Sequence, residues 1–374
     1  MARFLRELIL PAGMLSALII GAGVFSLPYL FYKTGVGIGF IYLALFSVIL
    51  SAIHLMYGEV VKQTKGDHRF LGYAKIYLGN LGFYTSFATA VIGIFFSLLI
   101  YLVLSIEFIN ALHDFNNELI PIIIFWTIAT MPILFGIKKI ADLSFVLTLG
   151  MIAAILAIFF YGLKEFPLDF LVSYDISNLY LPYGAVLFSL SGRAAISAMK
   201  LYFDKNNLSA KMFNFAIMLG TMAPAVLYAL FIVGVLGIAK GNVSSDAISS
   251  LTSAPALLLV GAMFAILSIW TSYIFLGFEL KYIFMEDIRI KKLGAELAVI
   301  FLPILLYFAG LDNFIMLVSF AGAVFLAVES ILVVLMWLKL KNLKKRAVSA
   351  IAFSILLICI FLAGAFHEIL YNLD

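Results

Sequence analysis

The chain has 374 residues, of which 65% are hydrophobic and 12% are charged, while its formal net charge is only +4. A soluble domain carries about twice this charged share, so the composition excludes a soluble globular protein and predicts one whose solvent is lipid. The single cysteine and four scattered histidines exclude a disulfide framework and a metal site of recognisable spacing.

Apolar runs long enough to cross a bilayer follow one another along the chain. The first run follows Arg3 and Arg6 as in a signal peptide, but it continues past Leu27, so we expect a retained helix. We predict eleven spans, at 8–32, 36–61, 81–110, 119–136, 141–163, 182–203, 208–239, 256–285, 293–309, 313–338 and 347–371.

The basic residues alternate between the two sides of these spans. With a cytoplasmic N-terminus, 20 of the 24 lysines and arginines fall on the cytoplasmic side. This bias is typical of cytoplasmic loops and predicts an extracytoplasmic C-terminus in a plasma-membrane protein. The basic segment 62–80 is amphipathic, so either an interfacial helix with a gating role or a plain loop fits it.

Two spans contain residues that weaken a helix. Gly21, Ala22 and Gly23 lie within the first span, and the segment 188–192 of the sixth is small, polar and glycine-ended. Glycine in a membrane helix alone favours close helix packing. The second interruption, five spans later, instead favours a transporter built from two inverted five-helix repeats. We predict one domain over 1–374, with repeats at 8–163 and 182–338 and an additional helix at 347–371.

An interrupted membrane helix has a specific chemical use. Its freed amides lie at a helix N-terminus, where the dipole carries about half a positive charge and holds a carboxylate without a charged side chain. We expect the amides that follow Gly21 and Ala22 to hold a substrate carboxylate. The predicted substrate-binding residues are Gly21, Ala22, Gly23, Phe25, Ser97, Phe188, Ser189, Ser191 and Gly192.

The segment "GAGVFSLPYLFYKTG" (21–35) resembles the first-helix signature of the amino acid/auxin permease family and its aromatic amino acid permease relatives. "FSLSGRAAIS" (188–197) resembles their sixth-helix pattern, and the layout around "RFLGYAKIYLG" (69–79) is similar. The resemblance implies the amino acid–polyamine–organocation superfamily and the all-α, inverted-repeat fold of the leucine transporter. It also implies cation-coupled import of amino acids, with no cofactor other than a coupling cation.

Hydroxyl side chains cluster in the eighth span. Ser268, Thr271 and Ser272 share one helix face, and with the carbonyls of Ala17 and Ile20 they resemble the sodium site of this fold. Hydrogen bonds from these hydroxyls to their own helix are an equal alternative. The fifth span has no lysine that could replace a cation, which favours sodium over protons without deciding between them.

Charged residues inside spans are functional candidates because their burial is costly. For Arg193 we expect an ion pair or a gate rather than direct substrate binding, with Glu59, Glu279 or Glu329 as the partner. Glu59 and Glu279 also fit simple extension to the cytoplasmic interface. His54 is either a proton carrier or a hydrogen-bonded structural imidazole.

The leading hypothesis is a secondary transporter of neutral amino acids, with hydrophobic or aromatic substrates favoured. It would work by alternating access around spans 1 and 6. A sensor or channel on the same fold is the alternative. The chain lacks an HExxH motif and a Ser/His pair of catalytic spacing, so we do not expect an enzyme. The expected partners are the substrate and the bilayer.

Overall fold

The computed structural model describes residues 4–66, 68–135, 140–341 and 348–371. This part of the chain is helical and contains no strand. Two sets of basic residues used for the predicted orientation, 138–139 and 344–346, lie outside the described residues.

The described residues form fifteen α-helices. They are α1 (Leu10–Ile19), α2 (Gly23–Thr34), α3 (Val36–Gln63), α4 (Phe70–Ser86), α5 (Ile92–Leu112), α6 (Leu119–Phe135), α7 (Ile140–Gly162), α8 (Pro182–Ser189), α9 (Arg193–Lys205), α10 (Ala210–Ala239), α11 (Pro255–Tyr282), α12 (Lys292–Phe308), α13 (Phe314–Phe320), α14 (Ala327–Leu340) and α15 (Val348–Tyr371). π-Helical turns lie at Leu5–Ile9, Phe87–Val91, Ile283–Asp287 and Ala321–Leu326.

Seven helical segments of the described chain are long and apolar enough to cross a membrane, and α1 with α2 forms an eighth that bends by 60°. The seven are Val36–Gln63, Phe70–Leu112, Thr148–Glu165, Ala210–Ala239, Pro255–Asp287, Phe314–Leu340 and Val348–Tyr371. A shorter apolar helix spans Leu119–Leu134. The chain is thus an all-helical membrane protein, while the number of eleven spans stays a prediction.

Local chemistry accounts for several helix boundaries. Pro182 and Pro255 stand at the first positions of α8 and α11, where the missing N–H costs no hydrogen bond. Asn313 caps α13 by accepting a hydrogen bond from the Met316 amide at 3.0 Å. Gly79, with φ of +71°, turns the chain within α4. The segment 62–80 therefore contains a helix, one of the two structures that the sequence allowed.

The two interrupted helices are held by close packing. α10 packs against α1, α3 and α7, and α11 packs against α5. α8 lies on the π-helical turn Ala321–Leu326, where a Cβ on Gly322 would overlap the carbonyl oxygen of Gly184. Small residues permit this backbone contact, which places the end of α8 deep in the bundle.

Candidate substrate site at two broken helices

The first interruption separates α1 from α2. Ile20 leaves the helical conformation with a ψ of 78°, although its amide still donates to the Ser16 carbonyl at 2.8 Å. The Gly21 amide then donates to the Ile19 carbonyl at 2.7 Å, and α2 begins at Gly23. The predicted break is therefore present, and it leaves backbone groups without their helical partners.

The second interruption separates α8 from α9. α8 ends at Ser189, a turn follows at Leu190, Ser191 and Gly192 have no regular structure, and α9 begins at Arg193. Gly192 has φ of −144° and ψ of 14°, which lies outside the helical region. Both predicted interruptions are thus real features of the fold.

The two broken helices touch at a glycine. A Cβ atom on Gly23 would lie 2.5 Å from the Cα of Ser189, a distance that real Cβ atoms do not show. Only glycine permits this approach without displacing the backbone. Gly23 therefore brings the start of α2 against the end of α8.

Hydroxyl groups from neighbouring helices satisfy the freed carbonyls. The Tyr228 hydroxyl on α10 lies 2.6 Å from the Ile19 oxygen and 3.0 Å from the Ser189 oxygen. The Ser268 hydroxyl on α11 donates to the Ile20 oxygen at 2.8 Å. These hydroxyls give the buried carbonyls at the helix ends a hydrogen-bond donor in place of the lost helical one.

A histidine satisfies a freed amide. The Gly192 amide donates to Nε2 of His54 at 3.2 Å, and Nδ1 of His54 lies 2.9 Å from the Thr221 hydroxyl. The Thr221 hydroxyl itself donates to the Ile217 carbonyl at 2.9 Å, so it accepts from the imidazole. These bonds together require the neutral ring with its proton on Nδ1.

One amide at the first interruption is left free. Among the described residues, the backbone N–H group of Ala22 has no hydrogen-bond acceptor, and the Gly23 amide follows it at the first position of α2. α2 has 12 residues, so its N-terminal dipole adds to their positive potential. These are the amides that the sequence predicted to be available to an anion.

A cavity of about 60 Å³ lies where the two interruptions meet. Seven of the nine predicted substrate-binding residues line it, and they are Gly21, Ala22, Gly23, Ser97, Phe188, Ser191 and Gly192. Its apolar wall comes from α5, α11 and the π-helical turn Ala321–Leu326, through Ile94, Leu276 and Leu326. The cavity combines the N-terminal end of α2 with an apolar wall, as amino acid recognition requires.

Two predicted residues do not reach this cavity. Phe25 is fully buried in an aromatic cluster, with ring centroids of Phe108 and Phe264 at 4.8 and 5.7 Å. The Ser189 hydroxyl donates to the Ala185 carbonyl of its own helix at 2.6 Å. Helix rotation directs these two side chains away from the cavity.

Two cavity residues on α5, Ile94 and Tyr101, were missed from the sequence. They share one helix face with the predicted Ser97, at spacings of three and four residues. This spacing shows that the three residues share a face of α5. The sequence of α5 is almost wholly apolar, so it does not indicate which face lies against the cavity. Tyr228 was missed for a related reason, since α10 is apolar around its whole circumference there.

The predicted cation residues lie between α1 and α11, beside the first interruption. Ser268 contacts the Ile20 carbonyl, while the Thr271 hydroxyl donates to the Ser268 carbonyl of its own helix at 2.9 Å. A Cβ on Gly21 would lie 3.0 Å from the Ser272 hydroxyl oxygen, which places Ser272 against the break. Ala17 is buried on α1, one turn before the interruption. The grouping was predicted, but Thr271 shows the own-helix hydrogen bond of the alternative.

Of the three candidate partners, Glu329 on α14 pairs with Arg193. Nε of Arg193 lies 2.7 Å from Oε2 of Glu329, and both residues line the central cavity. The guanidinium carbon lies 3.8 Å from the centroid of the Phe70 ring and 5.8 Å from that of Tyr57. The guanidinium therefore lies close to two aromatic rings, whose faces favour a cation.

The other two carboxylates have separate partners. Glu279 accepts from Nη1 of Arg69 at 3.2 Å, next to the start of α4. Glu59 accepts from the Trp337 indole at 2.5 Å and also pairs with Lys341. These contacts, away from Arg193, join α3, α4, α11 and α14 near their ends.

A larger cavity of about 600 Å³ opens on the side that carries the 163–181 and 240–254 loops. Its lining includes the carboxylates of Glu107, Asp246, Asp312 and Glu368. Burial raises the pKa of Asp246, which accepts a hydrogen bond from the Ser249 amide at 2.7 Å. This vestibule is acidic and attracts positively charged groups.

Residues 6–371 match the sequence profile of the tryptophan/tyrosine permease family. No curated protein sequence matches the chain. The crystal structure of MhsT in complex with L-phenylalanine has a TM-score of 0.69 at 16% identity, covering 96% of this chain and 97% of MhsT. The inward-facing conformation of Mhp1 has a TM-score of 0.61 at 16% identity, with 96% and 88% covered.

A third similar structure is the Eremococcus coleocola manganese transporter in complex with an aromatic bis-isothiourea substituted compound. It has a TM-score of 0.66 at 16% identity and covers 96% of this chain and 86% of its own. At these identities the likeness is one of fold. The fold is that of the leucine transporter, as the sequence resemblance implied.

Proposed function

The chain belongs to the tryptophan/tyrosine permease family and is a secondary transporter of aromatic or other neutral amino acids, and we propose that it imports them by alternating access around the two interruptions. One observation carries this proposal. Ala22, whose amide is free, and Gly23, the first residue of α2, line the same cavity as the second interruption and an apolar wall. A zwitterion with an apolar side chain is complementary to that arrangement.

In the proposed complex, the substrate carboxylate accepts hydrogen bonds from the Ala22 and Gly23 amides. Ser191 and Gly192 face it from the second interruption, and the side chain lies toward Ile94 and Leu276. An aromatic side chain is much larger than the cavity of about 60 Å³. Binding therefore requires the half-helices to move apart, so that substrate occupancy and helix position are coupled.

The coupling cation is proposed to be sodium. Its ligands would be the Ala17 and Ile20 carbonyls with the hydroxyls of Ser268, Thr271 and Ser272, because oxygen donors suit a hard cation. A proton gradient is the competing source of energy. His54 and Glu329 are the residues of the site that could then carry a proton.

The proposed architecture places the N-terminus in the cytoplasm and the C-terminus outside the cell. The distribution of lysine and arginine supports this orientation. The repeats 8–163 and 182–338 would run in opposite senses across the membrane, and Arg193 with Glu329 would gate one side of the cavity. Arg69 with Glu279, and Glu59 with Lys341, would hold the cytoplasmic ends of the helices together.

The test is uptake into proteoliposomes that contain the purified protein. Radiolabelled tryptophan, tyrosine and phenylalanine are offered under an inward sodium gradient, an inward proton gradient or neither. We expect saturable uptake that requires one gradient and is competed by unlabelled aromatic amino acids. Exchange of external labelled substrate against an internal unlabelled pool would distinguish a carrier from a channel. Binding of an aromatic amino acid without exchange would favour a sensor over a transporter.

A further inference from the structure

The Tyr228 hydroxyl lies between the two interruptions and contacts both of them. Its two hydrogen-bond acceptors, the carbonyl oxygens of Ile19 and Ser189, belong to the last residues of α1 and α8. Tyr228 is fully buried, on a helix separate from both. One phenol therefore joins the carbonyl ends of both broken helices.

Bringing the C-terminal ends of α1 and α8 together is electrostatically unfavourable. Each helix C-terminus carries about half a negative charge, and a carbonyl beyond the last turn has lost its helical donor. Two such ends repel each other when they are brought together in a medium of low dielectric constant. A cation between them, or one donor whose proton is shared by the two oxygens, offsets this repulsion. In this protein the phenol O–H supplies the donor.

We propose that Tyr228 is a positioning residue whose hydroxyl stands where the two facing carbonyls would otherwise require a monovalent cation. It holds the ends of α1 and α8 at one separation, so that the Ala22 and Gly23 amides stay aimed at the cavity. The expected effect of losing the Tyr228 hydroxyl on substrate affinity rests on the proposed function. The expected effects on cation binding and on protein stability do not depend on it.

A second buried tyrosine provides a matched comparison. Tyr273 on α11 is also fully buried, but among the described residues its hydroxyl has no hydrogen-bond partner. Burial of a tyrosine in this bundle therefore does not by itself produce such a bond. Tyr228→Phe and Tyr273→Phe remove the same atom from similar surroundings, and only the first removes a group between helix ends.

The first measurement is thermal unfolding of both purified variants and the unaltered protein, in N-methylglucamine chloride and in lithium or sodium chloride. We expect Tyr228→Phe to be destabilised in the organic salt and to regain at least half of the lost unfolding temperature in a small-cation salt. This rise in unfolding temperature between the two salts must be larger than the rise seen for the unaltered protein. Tyr273→Phe must show the same rise as the unaltered protein. A salt response of Tyr228→Phe equal to that of the unaltered protein overturns the proposal.

The second measurement separates positioning from mere stability. In counterflow at a temperature where both variants are folded, we expect Tyr228→Phe to raise KM for the aromatic substrate about tenfold, the effect of 1.4 kcal/mol. Tyr273→Phe should leave KM unchanged. An unchanged KM in Tyr228→Phe contradicts the positioning role. Should the unaltered protein move no aromatic amino acid, the proposed function fails while the unfolding measurement still decides the cation replacement.

A variant that does not fold is also informative. If Tyr228→Phe yields no folded protein in the organic salt, it is purified in parallel in sodium chloride. Recovery of folded protein only with sodium supports the proposal. Failure in both salts, with Tyr273→Phe folded in both, overturns it.

Discussion

Arg193 and Glu329 form a buried ion pair at the edge of the central cavity, with Nε and Oε2 2.7 Å apart and side chains 9% and 5% exposed. Arg193 is the first residue of α9, directly after the second interruption, whereas Glu329 lies on α14. Any movement of α9 relative to α14 that breaks the pair must therefore separate two buried charges. The pair gives such a movement an energetic barrier.

Removing the Glu329 carboxylate should leave the buried Arg193 guanidinium without its counter-charge. We expect Glu329→Gln to lower the free energy of unfolding by about 3–5 kcal/mol, measured by denaturation in detergent. Glu165→Gln is the control, because it disrupts the exposed pair with Lys240 and should cost at most about 1 kcal/mol. Equal costs for the two variants would refute the structural importance of the buried pair.

The hydrogen bond from Gly192 to His54 should make transport depend on an acceptor at position 54. His54→Leu leaves the Gly192 amide unpaired, an expected cost of about 1–3 kcal/mol, and should abolish most uptake. His54→Gln offers a carboxamide oxygen to the same amide and should keep a larger share of the initial rate. The hypothesis fails if the leucine variant transports as well as the glutamine variant.

The proposed cation site predicts a sodium-specific effect. Ser268→Ala removes the hydroxyl nearest the Ile20 carbonyl and should raise the sodium concentration for half-maximal uptake about tenfold. Ser330→Ala is the control, since its hydroxyl donates only to the Leu326 carbonyl of its own turn. Sodium titration of uptake distinguishes them, and identical sodium curves would exclude Ser268 from the site.

The contact between Gly23 and Ser189 predicts that a single methyl group is not tolerated there. Gly23→Ala should force α2 and α8 apart, with an expected cost of about 1–3 kcal/mol and loss of transport. Gly150→Ala is the control, because a Cβ at that helical position meets no atom within 4 Å. It should stabilise the protein slightly, by about 0.5–1 kcal/mol. Normal uptake by Gly23→Ala would show that transport does not require the close contact between Gly23 and Ser189.

The buried carboxyl of Asp246 predicts a pH-dependent stability. Burial raises its pKa above the ordinary 3.8, so the folded state binds this proton more tightly than the unfolded state does. The resulting stabilisation is full below the unfolded pKa and is lost as pH rises through the folded pKa. Asp246→Asn should thus be more stable than the unaltered protein at neutral pH, and the difference should shrink toward about pH 4.

Unfolding temperatures across this pH range test the Asp246 prediction. The variant keeps a side-chain oxygen for the Ser249 amide, so the hydrogen bond at 2.7 Å is preserved. Asp312→Asn, in the same acidic vestibule, is the control for loss of one negative charge. A stability difference for Asp246→Asn that does not change with pH would contradict the prediction.

Much of this protein is predictable from local sequence because lipid imposes strict local rules. A backbone in hydrocarbon must satisfy its own hydrogen bonds, so long apolar runs become helices and interruptions stand out. Gly21 to Gly23 and the segment 188–192 were identified in this way, and both are breaks in the structure. The same rule singled out Arg193 as a charge that needed a partner.

The tertiary structure alone decided which groups meet at those breaks. Tyr228 and Ile19 are 209 residues apart, His54 and Gly192 are 138 apart, and Arg193 and Glu329 are 136 apart. Such pairings depend on the rotation of each helix about its axis, which a nearly uniform apolar sequence does not specify. For this reason the predicted residues Phe25 and Ser189 lie outside the cavity lining, while Tyr228 went unnoticed until helix packing set its hydroxyl between two carbonyls.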